Sequence, residues 1–456
     1  MKRENNVNQA SHGKSADKRN DKRSDKRVEK TSPAALRITI GLIDDALAAL
    51  TGLLDFSYPA DAVLSRFFRE HKSLGPRERT FIAETAYNVL RHKRSLECIC
   101  GQDGERVTPR KLFLAALVRY LGMSQRQLTD VIKTKELEWI ASLKGSGEAL
   151  TLADQADMPD WLVERLASRM SEADLLTLAR GLNHSAPLDL RVNTMKADRD
   201  TVLARLNSEG IVAEPTPYAP CGIRLKGKPF LAKHPLFLDG SFEVQDEGSQ
   251  LLGQLLAPKR GEMVADFCAG AGGKTLLLGA LMRSTGRLYA FDVSDKRLAK
   301  LKPRAARSGL SNIHPAAIAN EQDQRIKRLA GKLDRVLVDA PCSGLGTLRR
   351  NPDLKWRQTP ESVAELTVKQ GDILAAASRL VKVGGRLVYA TCSLLNEENQ
   401  QIVDAFLAAH PGFQRLSCAE VLAKQGITLD TGEDLHLLPH LHGTDGFYAA
   451  VLERTA

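Results

Sequence analysis

Apolar side chains recur at three- and four-residue intervals through the first third of the chain: Ile43, Ala46, Leu47, Leu50 and Leu53, then Ile82, Ala86, Val89 and Leu90. That spacing predicts amphipathic helices whose stripes need partners, hence an all-helical bundle over residues 34–150. Residues Gly145 to Asp157 turn rich in glycine and acids and read as a linker. Beyond it, helices are predicted at Trp161 to Met170 and Ala173 to Leu182. An extended run, Leu188 to Thr194, and a helix at Thr201 to Asn207 precede turn-rich sequence with Pro215, Pro217 and Pro220. The mixture predicts a small α/β subdomain over residues 151–240.

From Phe242 onward, short β-rich runs alternate with helical ones. Strands are predicted at Met263 to Cys268, Arg287 to Val293, Arg335 to Asp339 and Arg386 to Cys392. Helices fit at Lys274 to Met282, Asp295 to Ser308, Glu361 to Val381 and Asn396 to Ala409. Such alternation predicts right-handed βαβ units, a Rossmann-like α/β domain over residues 241–456, and a ligand crevice at the carboxyl ends of its strands. Chemistry is therefore sought in the residues just after each strand.

Composition narrows the classes. At 456 residues the chain exceeds one ordinary core, and 65 basic against 55 acidic side chains leave a net charge of +10. Residues 1–33 hold ten Lys/Arg against five Asp/Glu and repeat Asp-Lys-Arg from Asp17, Asp21 and Asp25. With almost nothing apolar to bury, this basic tail is expected to be disordered. A basic body with a basic tail is compatible with a nucleic-acid partner. No apolar run is long enough to span a membrane and no signal-peptide centre is present, so the expectation is a cytoplasmic protein without a membrane partner. Nothing in the pattern calls for an obligate dimer, and a monomer is expected. Seven cysteines without a C-x-x-C pair make neither a disulfide framework nor a zinc site, so no metal is expected and any cysteine that matters acts as a thiol.

The first β-rich run of this domain leads into Asp266-Phe267-Cys268-Ala269-Gly270-Ala271-Gly272-Gly273-Lys274-Thr275. A glycine cluster between strand and helix lets backbone turn tightly against a ligand, or serves only as a turn. A phosphate-binding P-loop would need glycine at Cys268, and a dinucleotide fingerprint from Gly270 would need it at Thr275. S-adenosylmethionine remains, with Asp292 at the end of the second strand placed to accept from its ribose hydroxyls. Two later strands end in Asp339-Ala340-Pro341-Cys342-Ser343 and Thr391-Cys392-Ser393. A lone cysteine there would be core packing; two in corresponding places beside a cofactor crevice mark reactive thiols.

With Val244-Gln245-Asp246-Glu247-Gly248-Ser249 and Thr444-Asp445-Gly446-Phe447-Tyr448, these motifs resemble, in order, the RsmB/Nop/Sun family of RNA (cytosine-5)-methyltransferases from about residue 185 onward. Leu190-Arg191-Val192-Asn193-Thr194 is similar to the opening of that family's RNA-recognition-like subdomain. The N-terminal helices resemble the NusB-like RNA-binding domain of its bacterial 16S rRNA members. The resemblance implies S-adenosylmethionine as cofactor, held by Cys268, Ala269, Gly270, Ala271, Gly272, Gly273, Lys274, Asp292 and Asp339. It implies Cys392 as the nucleophile that adds to cytosine C6, Cys342 as the group that helps remove the C5 proton, and Asp339 as a contact to the pyrimidine edge. Gly270 and Ala271 stand where the family has Ala-Pro. The acid expected beside adenine is replaced by Asn320, with Glu321 next, and Asn320 is kept as a cofactor contact.

RNA contacts are expected at Arg191, Arg349, Arg350 and Lys355, with Trp356 as a stacking or packing residue. Arg91, His92, Lys93 and Arg94 suit either a helix end or RNA. Ionising a thiol of pKa about 8.5 at pH 7 costs roughly 2 kcal/mol, and a helix N-terminus returns only about 0.3–1 kcal/mol. Lys274 or the cofactor's sulfonium is expected to supply the remainder. The expected substrate is 16S rRNA; competing readings are tRNA, a DNA cytosine-5 methyltransferase with Cys342 as nucleophile, or a non-catalytic ribosome-assembly factor.

Overall fold

The computed structural model describes residues 36–101, 104, 106–143 and 150–456; the basic tail expected over residues 1–33 lies outside them. Helices Ile40–Leu54, Ala60–Glu70, Pro76–Arg91, Lys93–Cys100 and Pro109–Arg119 form a bundle. The stripes read from the sequence face inward, with Ile43, Leu50, Ile82 and Val89 all buried. Thr39 and Thr108 cap two of these helices by accepting from Leu42 N and Lys111 N. The stretch read as a linker is folded in its second half: Leu152–Ala156 is a helix capped by Thr151. Its acids are engaged, Asp154 with Arg94 at 2.5 Å and Asp157 with His92 at 2.9 Å and Ser95 N at 2.9 Å. The acid-rich composition thus reflects partners on the helical bundle rather than solvation.

Helices Asp160–Ala167 and Glu172–Asn183 lead to a four-stranded antiparallel sheet. Its strands are β1 (Leu188–Val192), β2 (Ala213–Pro215), β3 (Gly222–Leu225) and β4 (Phe242–Val244), in the order β2-β3-β1-β4. Helix Arg199–Ser208 packs Val202 and Leu206 against Leu190, Val192 and Ile223. The proline-rich segment read as turns therefore contains two short strands.

The second sheet contains β5 (Met263–Asp266), β6 (Arg287–Asp292), β7 (Ile313–Ala317), β8 (Leu333–Asp339), β9 (Val381–Thr391), β10 (Phe413–Leu416), β11 (Leu435–Leu437) and β12 (Phe447–Arg454). The order is β10-β12-β9-β8-β5-β6-β7, with β11 beside β12. Strands β7, β6, β5, β8 and β9 run parallel, whereas β12 is antiparallel to β9 and to β10. Successive residues bury opposite faces. Val264, Leu337 and Val388 pack with Leu251, Leu252 and Leu255 of helix Glu247–Leu256. Ala265, Val336 and Leu387 pack with Ile373 and Leu374 of helix Pro360–Ser378. The order reverses between β5 and β8, which opens the crevice expected at such a switch point.

Two predicted helices are broken. Asp295 to Ser308 divides into Asp295–Leu298 and Leu301–Ser308, because Pro303 has no N–H to donate and is tolerated only in a first turn. Asn396 to Ala409 divides into a 3-10 turn, Asn396–Glu398, and helix Gln400–Ala409. Asn399 at the break donates its amide to Ser393 O and accepts from Thr391 Oγ1 at 2.5 Å.

Candidate active site

A cavity of about 370 Å³ lies at the carboxyl ends of β5, β6, β8 and β9, with Cys268, Asp292, Asp339, Cys342 and Cys392 on its walls. Its first wall is the turn after β5, where Ala269, Gly270 and Ala271 also face the cavity. Gly272, at φ +84°, ends the turn; a Cβ there would lie 2.2 Å from Leu301 Cδ1, so only glycine fits. Gly273 starts helix Gly273–Leu281, and its carbonyl accepts from Arg191 Nη1 at 2.6 Å. Arg191 is buried, also bonds Gln245, and is lowered by burial to about 10. It braces the glycine turn from behind, which corrects the expectation of an RNA contact. Below the turn, Asp266 accepts from Thr275 Oγ1 at 2.7 Å, and burial pushes its carboxyl up to about 7. Burial, with Asp266 and Asp339 nearby, pushes the Cys268 thiol up as well.

Asp292 ends β6 and accepts from Gly270 N at 2.8 Å, Ser294 N at 2.7 Å and Arg297 Nη2 at 2.9 Å. Asn320 does not face this cavity: it is exposed and its side chain accepts from Gln322 N in its own turn. Glu321 and Ile318 line the cavity instead, so the acid one position on takes the place expected of Asn320.

The end of β8 places Asp339 2.7 Å from Lys274 Nζ. Burial alone would lower the Lys274 ammonium, but Asp339 outweighs it and Cys392 adds to the rise, so the cation faces both the carboxylate and the sulfur. Cys342 Sγ and Cys392 Sγ are 3.3 Å apart, and Cys392 N–H donates to Cys342 Sγ at 3.3 Å. The contact with Cys392, then burial, raises the Cys342 thiol well above its ordinary range. A neutral thiol at Cys342 can donate to a thiolate at Cys392.

Three chain segments are stitched together beside the sulfurs. Gly346 N donates to Cys392 O at 2.8 Å, and Gly446 N to Gly346 O at 2.8 Å. A Cβ on Gly346 would lie 2.2 Å from Gly446 O, so the approach requires glycine.

The basic cluster after Cys342 also lies elsewhere than expected. Arg349 bonds Asp445 Oδ1 at 3.0 and 2.9 Å, and Arg350 bonds Asp445 at 2.6 Å and Asp246 at 3.0 Å. Burial, then Asp445, pushes Asp246 up to about 6. Lys355 is 1% exposed, donates to Arg91 O at 2.7 Å and Asn183 Oδ1 at 3.1 Å, and is lowered by burial to about 7. Trp356 Nε1 donates to Leu90 O at 2.7 Å. These side chains join the helical bundle and the Val244–Ser249 and Thr444–Tyr448 motifs to the catalytic sheet; RNA contact is corrected to structural pairing at Arg349, Arg350 and Lys355. Cationic side chains meet instead in a cleft of about 570 Å³ lined by Tyr87, Arg91, Asn183, Arg180 and Lys228.

Sequence reasoning missed Glu398, which contacts both cysteine loops, and Arg297 and Lys369, which line the cavity. The acid pair Glu397-Glu398 following Thr391-Cys392-Ser393 was the available signal for the first. Among the described residues no group of His, Cys, Asp and Glu could hold a metal, and no helix is long and apolar enough to cross a membrane.

A parallel sheet with one antiparallel strand next to its end, a glycine turn at the switch point and thiols on the neighbouring strands define a Rossmann-like methyltransferase. The chain belongs to the 16S rRNA methyltransferase RsmB/F family, whose model matches residues 253–453; the family's ferredoxin-like domain model matches residues 158–230. It is 34% identical over 426 residues to a probable ribosomal RNA small subunit methyltransferase B of Synechocystis sp., covering 86% of this chain and 95% of the relative. The ribosomal RNA small subunit methyltransferase B of Proteus mirabilis is 34% identical over 444 residues, covering 92% of this chain and 100% of the relative. Among solved structures, PH0851 superposes with a TM-score of 0.74 at 25% identity over 92% of this chain and 100% of that one. A methyltransferase homologue from Pyrococcus horikoshii gives a TM-score of 0.58 at 28% identity, covering 67% of this chain and 100% of that one.

Proposed function

We propose that the protein methylates C5 of a cytosine in 16S rRNA, using S-adenosylmethionine and a transient bond between Cys392 and C6. The observation that carries this reading is the 3.3 Å approach of Cys342 and Cys392 on the wall of the glycine-turn cavity. The cavity suits the cofactor: its size falls within the range of small-molecule sites, Ile318, Val293 and Ile373 offer apolar surface to a base, and Asp292 and Glu321 offer acceptors to hydroxyls or an amine. Asp292 already accepts three hydrogen bonds, which leaves about one of a carboxylate's four lone-pair directions open. When bound, S-adenosylmethionine supplies the methyl group that ends on C5.

The chain's own residues do the rest. Cys392 adds to C6 as a thiolate, with the Lys274 ammonium and the Cys342 S–H facing its charge. Asp339, 2.7 Å from Lys274 Nζ, accepts from the pyrimidine's amino edge. The target must be unpaired or flipped, because C6 is inaccessible in a stacked helix. Once Cys392 is bonded to carbon its sulfur is neutral. The largest influence raising the Cys342 thiol then disappears, so addition itself prepares Cys342 to release its proton to solvent and, as a thiolate, to take the C5 proton. The C6–S bond then breaks, its electrons return to Cys392, and the ring double bond is restored. The Lys274 ammonium faces Cys392, which supports Cys392 over Cys342 as nucleophile and distinguishes this reading from the DNA-type alternative.

Transfer of radiolabelled methyl groups from S-adenosylmethionine to 16S rRNA from cells lacking the protein tests the proposal. Label should appear at a single cytosine with the unmodified chain and be lost with Cys392→Ala. Undiminished transfer by Cys392→Ala would overturn it, and label on tRNA alone would replace the substrate but keep the chemistry.

A further inference from the structure

Glu398 lies in the 3-10 turn after β9 and is fully buried, at 0% exposure. Its Oε1 accepts from Ser343 N at 2.8 Å and Gln370 Nε2 at 3.0 Å; its Oε2 accepts from Ser343 Oγ at 2.5 Å and from Ser393 Oγ. Gln370, buried on helix Pro360–Ser378, also donates to Pro341 O at 2.9 Å. One carboxylate thus binds the residue following each cysteine, Ser343 after Cys342 and Ser393 after Cys392. Ser343 N and Gln370 Nε2 can only donate to it, and both serine hydroxyls can turn their protons toward it. Among the described residues no Lys, Arg or His forms an ion pair with it. A buried charge without a counter-ion is costly, and a neutral amide could satisfy the same loops with rotated hydroxyls.

We propose that Glu398 is a positioning residue, which fixes the spacing of the two sulfurs and places the negative charge of the pair on Cys392. The inference rests on the reading that Cys392 is the nucleophile. The geometry is asymmetric: Glu398 holds the loop of Cys342 through two donors, Ser343 N and Oγ, and that of Cys392 through Ser393 Oγ alone, while the Lys274 ammonium faces Cys392. Two negative groups in one dry pocket repel, so an ionised Glu398 disfavours a thiolate at Cys342 and leaves it protonated to donate toward Cys392. Backbone donors facing Cys342, Cys392 N at 3.3 Å and Gly344 N, offset this only in part, because the influences that raise the thiol outweigh them; Tyr389 is a buried phenol whose hydroxyl donates to Glu398 O at 2.6 Å.

The test is Glu398→Gln in the full chain, with Ser393→Ala as a second variant that removes one donor only. Cysteine labelling by iodoacetamide is followed against pH by peptide mass spectrometry, alongside kcat and KM for RNA. In Glu398→Gln, labelling of Cys342 should begin at lower pH and approach that of Cys392. The value of kcat should fall about 100-fold, the scale of an ångström-sized misplacement, with KM for RNA unchanged. Ser393→Ala should show a smaller loss of the same kind. Unchanged labelling and kcat in Glu398→Gln would overturn the inference. So would a Glu398→Gln chain that fails to fold beside a fully active Ser393→Ala, because Glu398 would then be structural only. Activity retained by Cys392→Ala would instead sink the underlying enzymatic reading, whatever Glu398 does.

Discussion

Replacing Cys342 by alanine should convert the enzyme from one that turns over into one that stays attached to its RNA. The two sulfurs are 3.3 Å apart, so on the proposed mechanism the substitution removes the group best placed to take the C5 proton and also a donor to the Cys392 thiolate. Loss of a positioned base slows a proton transfer by about 10²–10⁴-fold, or roughly 3–5 kcal/mol in the barrier to release. Loss of one weak S–H donor costs addition about 1 kcal/mol, on the order of five-fold. Release is therefore slowed at least about twenty times more than addition, and the intermediate accumulates. End-labelled RNA incubated with the variant and cofactor, then run on a denaturing gel, should show a retarded protein–RNA band that is weak for the unmodified chain. Steady turnover by Cys342→Ala without such a band would refute the assignment of the two thiols.

Two further outcomes follow from the buried and cationic groups. Asp266 titrates at about 7 when folded against an ordinary 3.8, so the folded state binds the extra proton and this group's contribution to stability falls as pH rises through that window. Thermal unfolding of Asp266→Asn should therefore improve relative to the unmodified chain between pH 5 and 8, by at most about 3 kcal/mol, and a pH-independent difference would count against it. Removing Arg180 and Lys228 from the cleft beside the helical bundle should lower the slope of log Kd for single-stranded RNA against log salt by about 1.4, at about 0.7 per phosphate contact. An unchanged slope would place the RNA elsewhere.

The parts legible in the sequence were those whose signal is local. Alternating apolar strands, the glycine turn and the strand-end cysteines located the sheet and the cavity because each depends on neighbours a few residues away. Strand β7 was missed: Ile313-His314-Pro315 has no alternation, and an edge position tolerates its proline. The basic cluster was misread because charge in a sequence does not reveal its partner. Arg349 and Arg350 meet Asp445 and Asp246 from distant segments, and Lys355 meets the backbone of the helical bundle. Asn320 and Glu321 exchanged roles because side-chain direction in a turn is set by backbone angles that spacing does not encode.

The wedge that Gly446 drives against Gly346 also sets an order of events during synthesis. Translation delivers both sulfurs before β12 and the glycine that precedes it, so a nascent chain carries the cysteines before the backbone that closes against their loop. Competence arrives late, after the helical bundle has had time to fold. A message truncated between those points would yield a chain that carries both thiols but lacks the strand that pairs with β9.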